Sequence, residues 1–420
     1  MRRICVHLIY IYVPLMLLLM GVASCGDDDV EPVPEPVVPG FPGETLARTL
    51  IVYIAAENSL ASFVYSDSLE IAKGLSSIPD KSRVVLFIDD HKSSRLCVGT
   101  REEPLQQVKV YDRNLCATDE EDMGFVLADI LRDYPAEHYG LVLWSHASGW
   151  MFQNNTHAVK RRSFGIDNGR RIGDSSNSQV NKGLEMNIPV MAQVLSRFPH
   201  LDFILFDACF MQCIEVAYEL RAVTDYIIAS PAEIPGPGAP YHCILQAMCQ
   251  VPTDVKGVVN AYVDYYESKQ AGSPYLGAEL SLIRTDALQA LAEASKPYLQ
   301  MLLRGHFEVD ASSVQRYCFV TSSQKYTEYY DMKSWMYASL SDDDYQDWCV
   351  AYEQAVPLAR LSPEWFSANP TQTMRKVQDA EHCGGVSIFI PSTRYEQMGW
   401  TQAYHELAWY AAAGIDQTGW

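Results

Sequence analysis

The sequence predicts an α/β fold: a mostly parallel sheet with helices on both faces and a C-terminal α+β elaboration. Three observations carry this. Short unbroken apolar runs recur between residues 50 and 229. Segments with apolar residues at helical spacing separate them, which is the pattern of βαβ units. The runs are continuous rather than alternating, so each strand buries both of its faces.

Taken in order, Leu50–Ala55 (LIVYIA) is the first strand, and Glu57-Asn58-Ser59 breaks it. A helix follows from about Leu60 to Gly74. Arg83–Ile88 (RVVLFI) is the second strand, closed by Asp89-Asp90, and Val108–Tyr111 is a short third candidate. Met123–Asp133 reads as a helix. Gly140–Trp144 (GLVLW) is a buried strand that ends at Ser145-His146. Residues 151–186 are polar and read as a long surface loop. A helix at Ile188–Phe198 precedes the strand Leu201–Phe206 (LDFILF), which ends at Asp207-Ala208-Cys209. A further helix runs to about Val223, then the strand Tyr226–Ala229 and the breaker-rich stretch Pro231–Pro240. Beyond residue 250 the pattern loosens into a helix (Val255–Glu267), a strand (Glu279–Ile283), a helix (Leu288–Leu303) and a late strand (Gly384–Ile390, GGVSIFI) closed by Pro391.

Composition bounds the function. In 420 residues, 48% are hydrophobic and 20% charged, enough apolar material for a large core and too much for a disordered chain. The net charge of −20 excludes nucleic acid as a partner, since phosphate binding needs a basic face.

The N-terminus reads as an address. Arg2 and Arg3 precede an apolar stretch from Ile4 to Val22, which ends in Val22-Ala23-Ser24-Cys25. Small residues before a cysteine resemble a bacterial lipobox, whose cysteine is lipidated and becomes the mature N-terminus. The stretch is marginal for a membrane-spanning helix, and its Ala-Ser-Cys ending fits a cleavage site better. Gly26-Asp27-Asp28-Asp29 resembles the surface-export tag of Bacteroidetes lipoproteins. Pro32, Pro34, Pro36, Pro39 and Pro42 then make a semi-rigid extended stalk. The expected organisation is a signal peptide (1–24), an acidic, Pro-rich tether (25–47) and a catalytic core (48–250). Residues 251–420 complete the sheet and pack on the core. The expected location is the outer membrane, held by lipid on Cys25, with export to the cell surface.

Of 11 cysteines, Cys5 leaves with the signal and Cys25 carries lipid, so an odd number remains. Neither zinc-type spacing nor a small disulfide framework is present. Two reactive side chains sit where parallel sheets gather their functional groups, beyond the carboxyl ends of strands: His146 and Cys209. A thiolate can attack a carbonyl while an imidazole supplies protons to the leaving group. A free thiol ionises at about 8.5, so a neighbouring imidazolium or a helix N-terminus is expected to help ionise Cys209. Its backbone N–H can join an oxyanion hole.

The surroundings of these two residues, Ser145-His146-Ala147-Ser148-Gly149-Trp150 and Phe206-Asp207-Ala208-Cys209-Phe210-Met211 with Glu215 downstream, resemble the clostripain family of caspase-like cysteine peptidases. The likeness extends to LIVYIAAENSL, Tyr139-Gly140, the Pro235-Gly236 and Gly238 turn after YIIAS, and GGVSIFIP. It implies a caspase-like fold and peptidase activity on peptides or proteins. It implies His146 as general acid/base and Cys209 as nucleophile, with the N–H groups of Ala147 and Cys209 binding the oxyanion. Asp207, with Ser230 and Glu233, would line the substrate pocket. Family members cut after Arg or Lys, which a buried carboxylate suits. Many are activated by a cut between the two reactive residues, where this chain carries Lys160-Arg161-Arg162, Arg170-Arg171 and Lys182. Two departures stand out: Ala147 replaces the usual Gly, and the loop after YIIAS has few acids, with Pro237 inside its turn.

Two other functions fit the same residues: a non-catalytic relative that binds peptides or proteins, and a cysteine amidase. The chemistry calls for no cofactor. Some family members use calcium, but Asp342-Asp343-Asp344 lacks the spacing of a calcium loop and reads as a solvated turn. Cys213 reads as a buried core thiol, and Trp400, Trp409 and Trp420 as C-terminal packing.

Overall fold

A computed structural model of the chain describes residues 40–151, 163–169, 184–304, 313–317, 329–367, 374–377 and 380–420. The signal peptide, most of the tether with Cys25, and the basic residues Lys160 to Arg162, Arg170, Arg171 and Lys182 lie outside the described residues.

The strands are β1 (Leu46–Ala55), β2 (Ser82–Asp89), β3 (Ser94–Thr100), β4 (Gln106–Val110), β5 (Ala136–Trp144), β6 (Phe164–Asp167), β7 (Leu184–Met186), β8 (Leu201–Asp207), β9 (Thr224–Ala229), β10 (Glu279–Arg284), β11 (Tyr330–Asp331), β12 (Leu358–Leu361), β13 (Glu364–Phe366), β14 (Met374–Lys376) and β15 (Ser387–Ile388). The main helices are α1 (Val64–Gly74), α2 (Glu120–Asp133), α3 (Ile188–Leu195), α4 (Ile214–Leu220), α5 (Tyr241–Cys249), α6 (Val255–Glu267), α7 (Leu288–Leu303), α8 (Met332–Ser339) and α9 (Asp342–Ala355). Among the described residues, none of the helices is long and apolar enough to cross a membrane.

Nine strands form the central sheet among the described residues, in the order β12-β10-β9-β8-β5-β1-β2-β3-β4. The inner strands β9, β8, β5, β1 and β2 are mutually parallel. The outer strands run antiparallel at both edges. The continuous apolar runs are buried on both faces. Leu50, Val52 and Ile54 pack with Leu205 and Ile228 under α1, α5 and α6. Ile51 and Tyr53 pack with Leu141, Leu143 and Phe206 under α2, α3, α4 and α7. The helices answer with apolar stripes: in α6, Val255, Val258, Val259, Tyr262, Val263 and Tyr266 recur at helical spacing and are all buried.

The chain leaves β1 for β2 on one side, then returns to place β5 and β8 on the other. This reversal between β1 and β5 is a topological switch point, where the loops at the strands' carboxyl ends part and open a crevice.

Three sequence expectations change. Residues 151–186 are not all surface loop: β6 and β7 pair antiparallel, and Phe164, Ile166 and Met186 are buried. The late strand is short, and β15 pairs with β11 in a separate two-stranded sheet rather than joining the main one. Asp342-Asp343-Asp344 is the first turn of α9, behind the Ser341 cap, where carboxylates meet the positive end of the helix dipole. Trp409 and Trp420 are buried and Trp400 stacks on Tyr395, so the late tryptophans pack the C-terminal region as expected.

Candidate active site

Strand register brings the site together. Trp144, the last residue of β5, is paired with Asp207, the last residue of β8. His146 and Cys209 each lie two residues beyond, so they emerge side by side. Both line one cavity of about 290 Å³, together with Leu60, Trp144, Asp207, Phe210, Glu233, Gly238 and Phe366.

The loop after β1 braces the histidine. Asn58 is buried and donates to the carbonyls of Ala55 and Ile166 at 2.9 and 3.0 Å, which fixes the neighbouring backbone. Ser145 Oγ donates to the Ala55 carbonyl at 2.8 Å. The next residue, Ser59, brings its hydroxyl to 2.8 Å from His146 Nε2.

The cysteine stands in a turn, not at a helix end. α4 begins only at Ile214, with Cys213 as its N-cap, so the expected helix-dipole assistance does not reach the sulfur. Instead the sulfur accepts a hydrogen bond from the Ile234 N–H at 3.4 Å. Burial pushes the Cys209 thiol up to about 12, and the charges of Glu233 and Asp207 add to the rise. The residue after it, Phe210, has a left-handed backbone (φ 62°) and donates its N–H to the Ala232 carbonyl at 2.9 Å. A non-glycine residue there is strained, and the packing around it must hold the turn.

Ala147 fits despite its side chain. It faces Phe164 of β6 as an isolated antiparallel bridge. The flanking bonds run from Ser148 N–H to the Ser163 carbonyl (3.0 Å) and from Gly165 N–H to the His146 carbonyl (2.8 Å). Ala147 is therefore a non-hydrogen-bonded position whose own N–H points away from β6. Neither that N–H nor the Cys209 N–H donates to backbone among the described residues.

Asp207 is buried deep in the cavity wall. Its Oδ2 accepts from the Ala239 N–H at 3.0 Å and the Tyr241 hydroxyl at 2.9 Å. Its Oδ1 is buried and has no partner among the described residues. Burial pushes its carboxyl up to about 6, against the pull of those two donors. Gly238 must be glycine beside it: φ is 65°, and a Cβ would come within 2.7 Å of Oδ2. Glu233 also lines the cavity, where its Oε2 accepts from the Ser367 hydroxyl at 2.8 Å.

One expected group lies elsewhere. The Ser230 side chain is wholly buried, accepts the Ala232 N–H at 3.1 Å and does not reach the cavity, because the loop turns it inward as a cap. Glu215 is buried away from the cavity; it accepts the Phe389 N–H at 2.8 Å and the Tyr404 hydroxyl at 3.3 Å, tying α4 to the segment that contains β15. Cys213 is buried, as expected of a core thiol. Among the described residues there is no group of His, Cys, Asp and Glu able to hold a metal ion.

The structure adds residues the sequence did not single out. Ser59 touches the histidine, and Phe366 comes from the distant C-terminal hairpin β13–β14 to line the cavity. A serine in a loop and a lone aromatic carry no periodic or motif signal.

A comparison with protein-family models matches residues 52–420 to the clostripain family. The chain belongs to the clostripain family. It is a cysteine peptidase with the caspase-like fold of its solved relatives. One is a secreted C11 cysteine protease from Bacteroides thetaiotaomicron in complex with an irreversible peptide inhibitor, 30% identical, TM-score 0.73, covering 88% of this chain and 99% of that one. Another is an inactive zymogen C11 protease from Parabacteroides distasonis, 26% identical, TM-score 0.71, with coverage of 88% and 99%. A third, iotapain from Bacteroides thetaiotaomicron, shares the fold at 21% identity and TM-score 0.70, with coverage of 88% and 99%. No curated protein matches.

Proposed function

We propose that this clostripain-family peptidase is an endopeptidase that cuts peptide bonds after Arg or Lys, with Cys209 as nucleophile and His146 as general acid/base. The observation that carries the reading is the unpartnered Oδ1 of Asp207, buried in the wall of the cavity that also holds both reactive side chains. A carboxylate oxygen without a donor is costly inside a protein, and an entering guanidinium or ammonium supplies both the donor and the opposite charge.

The same charge helps the chemistry. Burial chiefly, with the fields of Glu233 and Asp207 added, favours the protonated thiol. A cationic substrate side chain offsets those fields and eases transfer of that proton to the His146 imidazole. The thiolate then attacks the carbonyl carbon, and the tetrahedral oxygen takes hydrogen bonds from the Ala147 and Cys209 N–H groups. His146 protonates the departing amine, and water, deprotonated by the imidazole, hydrolyses the thioester.

The test is a set of fluorogenic peptides differing only in the residue before the cut. Arg and Lys substrates should exceed a citrulline isostere by roughly a hundredfold in kcat/KM, the scale of a lost buried charge pair. Asp207→Asn should erase most of that gap, and Cys209→Ala should abolish turnover. Equal cleavage of Arg and citrulline peptides would sink the basic pocket. Binding without cleavage by the wild type would favour the peptide-binding alternative, and release of ammonia from side-chain amides the amidase.

We also infer that lipid on Cys25 anchors the protein in the outer membrane, which the lipobox-like Val22-Ala23-Ser24-Cys25 and the acidic, Pro-rich tether support. Cell fractionation checks it: Cys25→Ala should leave the membrane fraction, and retention at the wild-type level would place the anchor elsewhere.

A further inference from the structure

Two loops must be held in mutual register for this site to work. One carries His146 and the Ala147 N–H; the other carries Cys209 and its own N–H. They leave different strands, and among the described residues no hydrogen bond joins the Cys209 sulfur to His146. A third element spans them. Tyr329 stands immediately before β11, far along the chain, and is buried. Its hydroxyl donates to the carbonyl of Ser148, the residue after Ala147, at 2.7 Å. Its ring stacks on Phe210, the residue after Cys209, at a centroid distance of 4.5 Å and an interplanar angle of 14°. The ring also closes on Gly149, where a Cβ would meet Tyr329 Cε1 at 3.3 Å and the Phe210 carbonyl oxygen at 3.1 Å.

We propose that Tyr329 is a positioning residue that clamps the two loops together and so sets the spacing of the oxyanion-binding N–H groups of Ala147 and Cys209. It is not among the residues lining the cavity that holds His146 and Cys209. The physical need is plain at Phe210, whose left-handed backbone (φ 62°) is a conformation that a bulky residue leaves unless packing opposes it. The flat stack on Tyr329 opposes it from one side. The hydroxyl bond pins the other loop to the same ring. Relaxation of either loop moves one donor relative to the other, and an oxyanion hole works only when both donors meet the developing charge at hydrogen-bond distance.

The inference rests on the dyad reading above, and the test separates the two. Tyr329→Phe keeps the stack and removes the bond to Ser148; Tyr329→Leu removes both. In Tyr329→Phe, kcat should fall roughly tenfold with KM unchanged, and in Tyr329→Leu roughly a hundredfold, approaching loss of one oxyanion donor. Two thiol reagents sharpen the reading. A peptide aldehyde forms a tetrahedral adduct whose oxygen occupies the oxyanion site, so its affinity should fall with kcat. Iodoacetamide alkylates the sulfur by direct displacement and uses no oxyanion site, so its rate should stay at the wild-type value. Thermal unfolding of Tyr329→Phe shows whether the fold persists. Wild-type kcat and aldehyde affinity in both variants would overturn the clamp. So would an equal loss of iodoacetamide reactivity, which would mark a general loosening of the fold. Cleavage surviving in Cys209→Ala would instead overturn the dyad.

Discussion

At the residue scale, Ser59 in the loop after β1 helps orient His146. Asn58 is locked between the ends of β1 and β6, which leaves Ser59 facing His146 Nε2 at 2.8 Å. An imidazole free to rotate spends much of its time unable to deliver a proton, so a partner on one ring nitrogen raises the productive fraction. Ser59→Ala should therefore lower kcat by roughly tenfold with little change in KM, and Ser59→Thr should restore most of it. Equal kcat values for Ser59→Ala and wild type would show that the contact does not orient the ring. The two reactive residues were legible because parallel sheets put function at strand ends, and their flanking residues matched a known pattern. Ser59 and Tyr329 were not. Each acts through contacts made across a long stretch of chain, and those contacts leave no local trace in the sequence. The helix-dipole expectation for Cys209 failed for a related reason: residues 208–213 form a turn, and the turn is held by long-range partners such as Ala232 and Tyr329.

At the scale of elements, α1 lies against the sheet with a buried carboxyl. Asp67 accepts hydrogen bonds from Trp144 and Ser66, yet burial, with added push from Asp207 and Glu70, drives its carboxyl from 3.8 up to about 8. The sign follows. The folded protein holds this proton more tightly than the unfolded chain does between about pH 3.8 and about 8. The stability it contributes is present at low pH and lost as pH rises through that window. Asp67→Asn keeps the shape and cannot ionise, so it should gain thermal stability over the wild type, with a much larger gain at pH 9 than at pH 5. A gain of the same size at both pH values would show that Asp67 is already ionised at pH 5 in the folded state and that its carboxyl is not pushed up. The helix itself was legible, as were the five inner strands, because burial on both faces leaves an unbroken apolar run. The edges were not. β3 (SRLCVGT) is largely buried but has only a three-residue apolar run between polar ends, and β12 (LARL) is half-buried throughout, so neither carries the long apolar run of the inner strands. α5 escaped notice because Pro240 and the breaker-rich loop before it hide its start.

At the scale of the whole molecule, the chain order and the sheet order meet at one seam. The segment between β5 and β8 separates an N-terminal set of strands, β5-β1-β2-β3-β4, from a C-terminal set, β12-β10-β9-β8. His146 and Ser59 belong to the first set and Cys209 and Asp207 to the second, so the cavity straddles the seam. A cut in that segment would leave two fragments still joined along β5 and β8, from Gly140 opposite Phe203 to Trp144 opposite Asp207. Each fragment also keeps apolar faces that only the other covers. The segment carries Lys160-Arg161-Arg162, Arg170-Arg171 and Lys182, which are the residues a pocket built around Asp207 would accept. Self-processing there follows from the proposed specificity. Purified wild type should run as two bands under denaturing conditions and elute as one particle under native ones, while Cys209→Ala remains a single chain. Mass spectrometry of the fragments should find new C-termini at Lys or Arg. A wild-type chain that stays whole while cleaving peptides would rule out self-processing. New termini at other residues would rule out the basic pocket, because the enzyme's own chain is then the substrate that reports its preference.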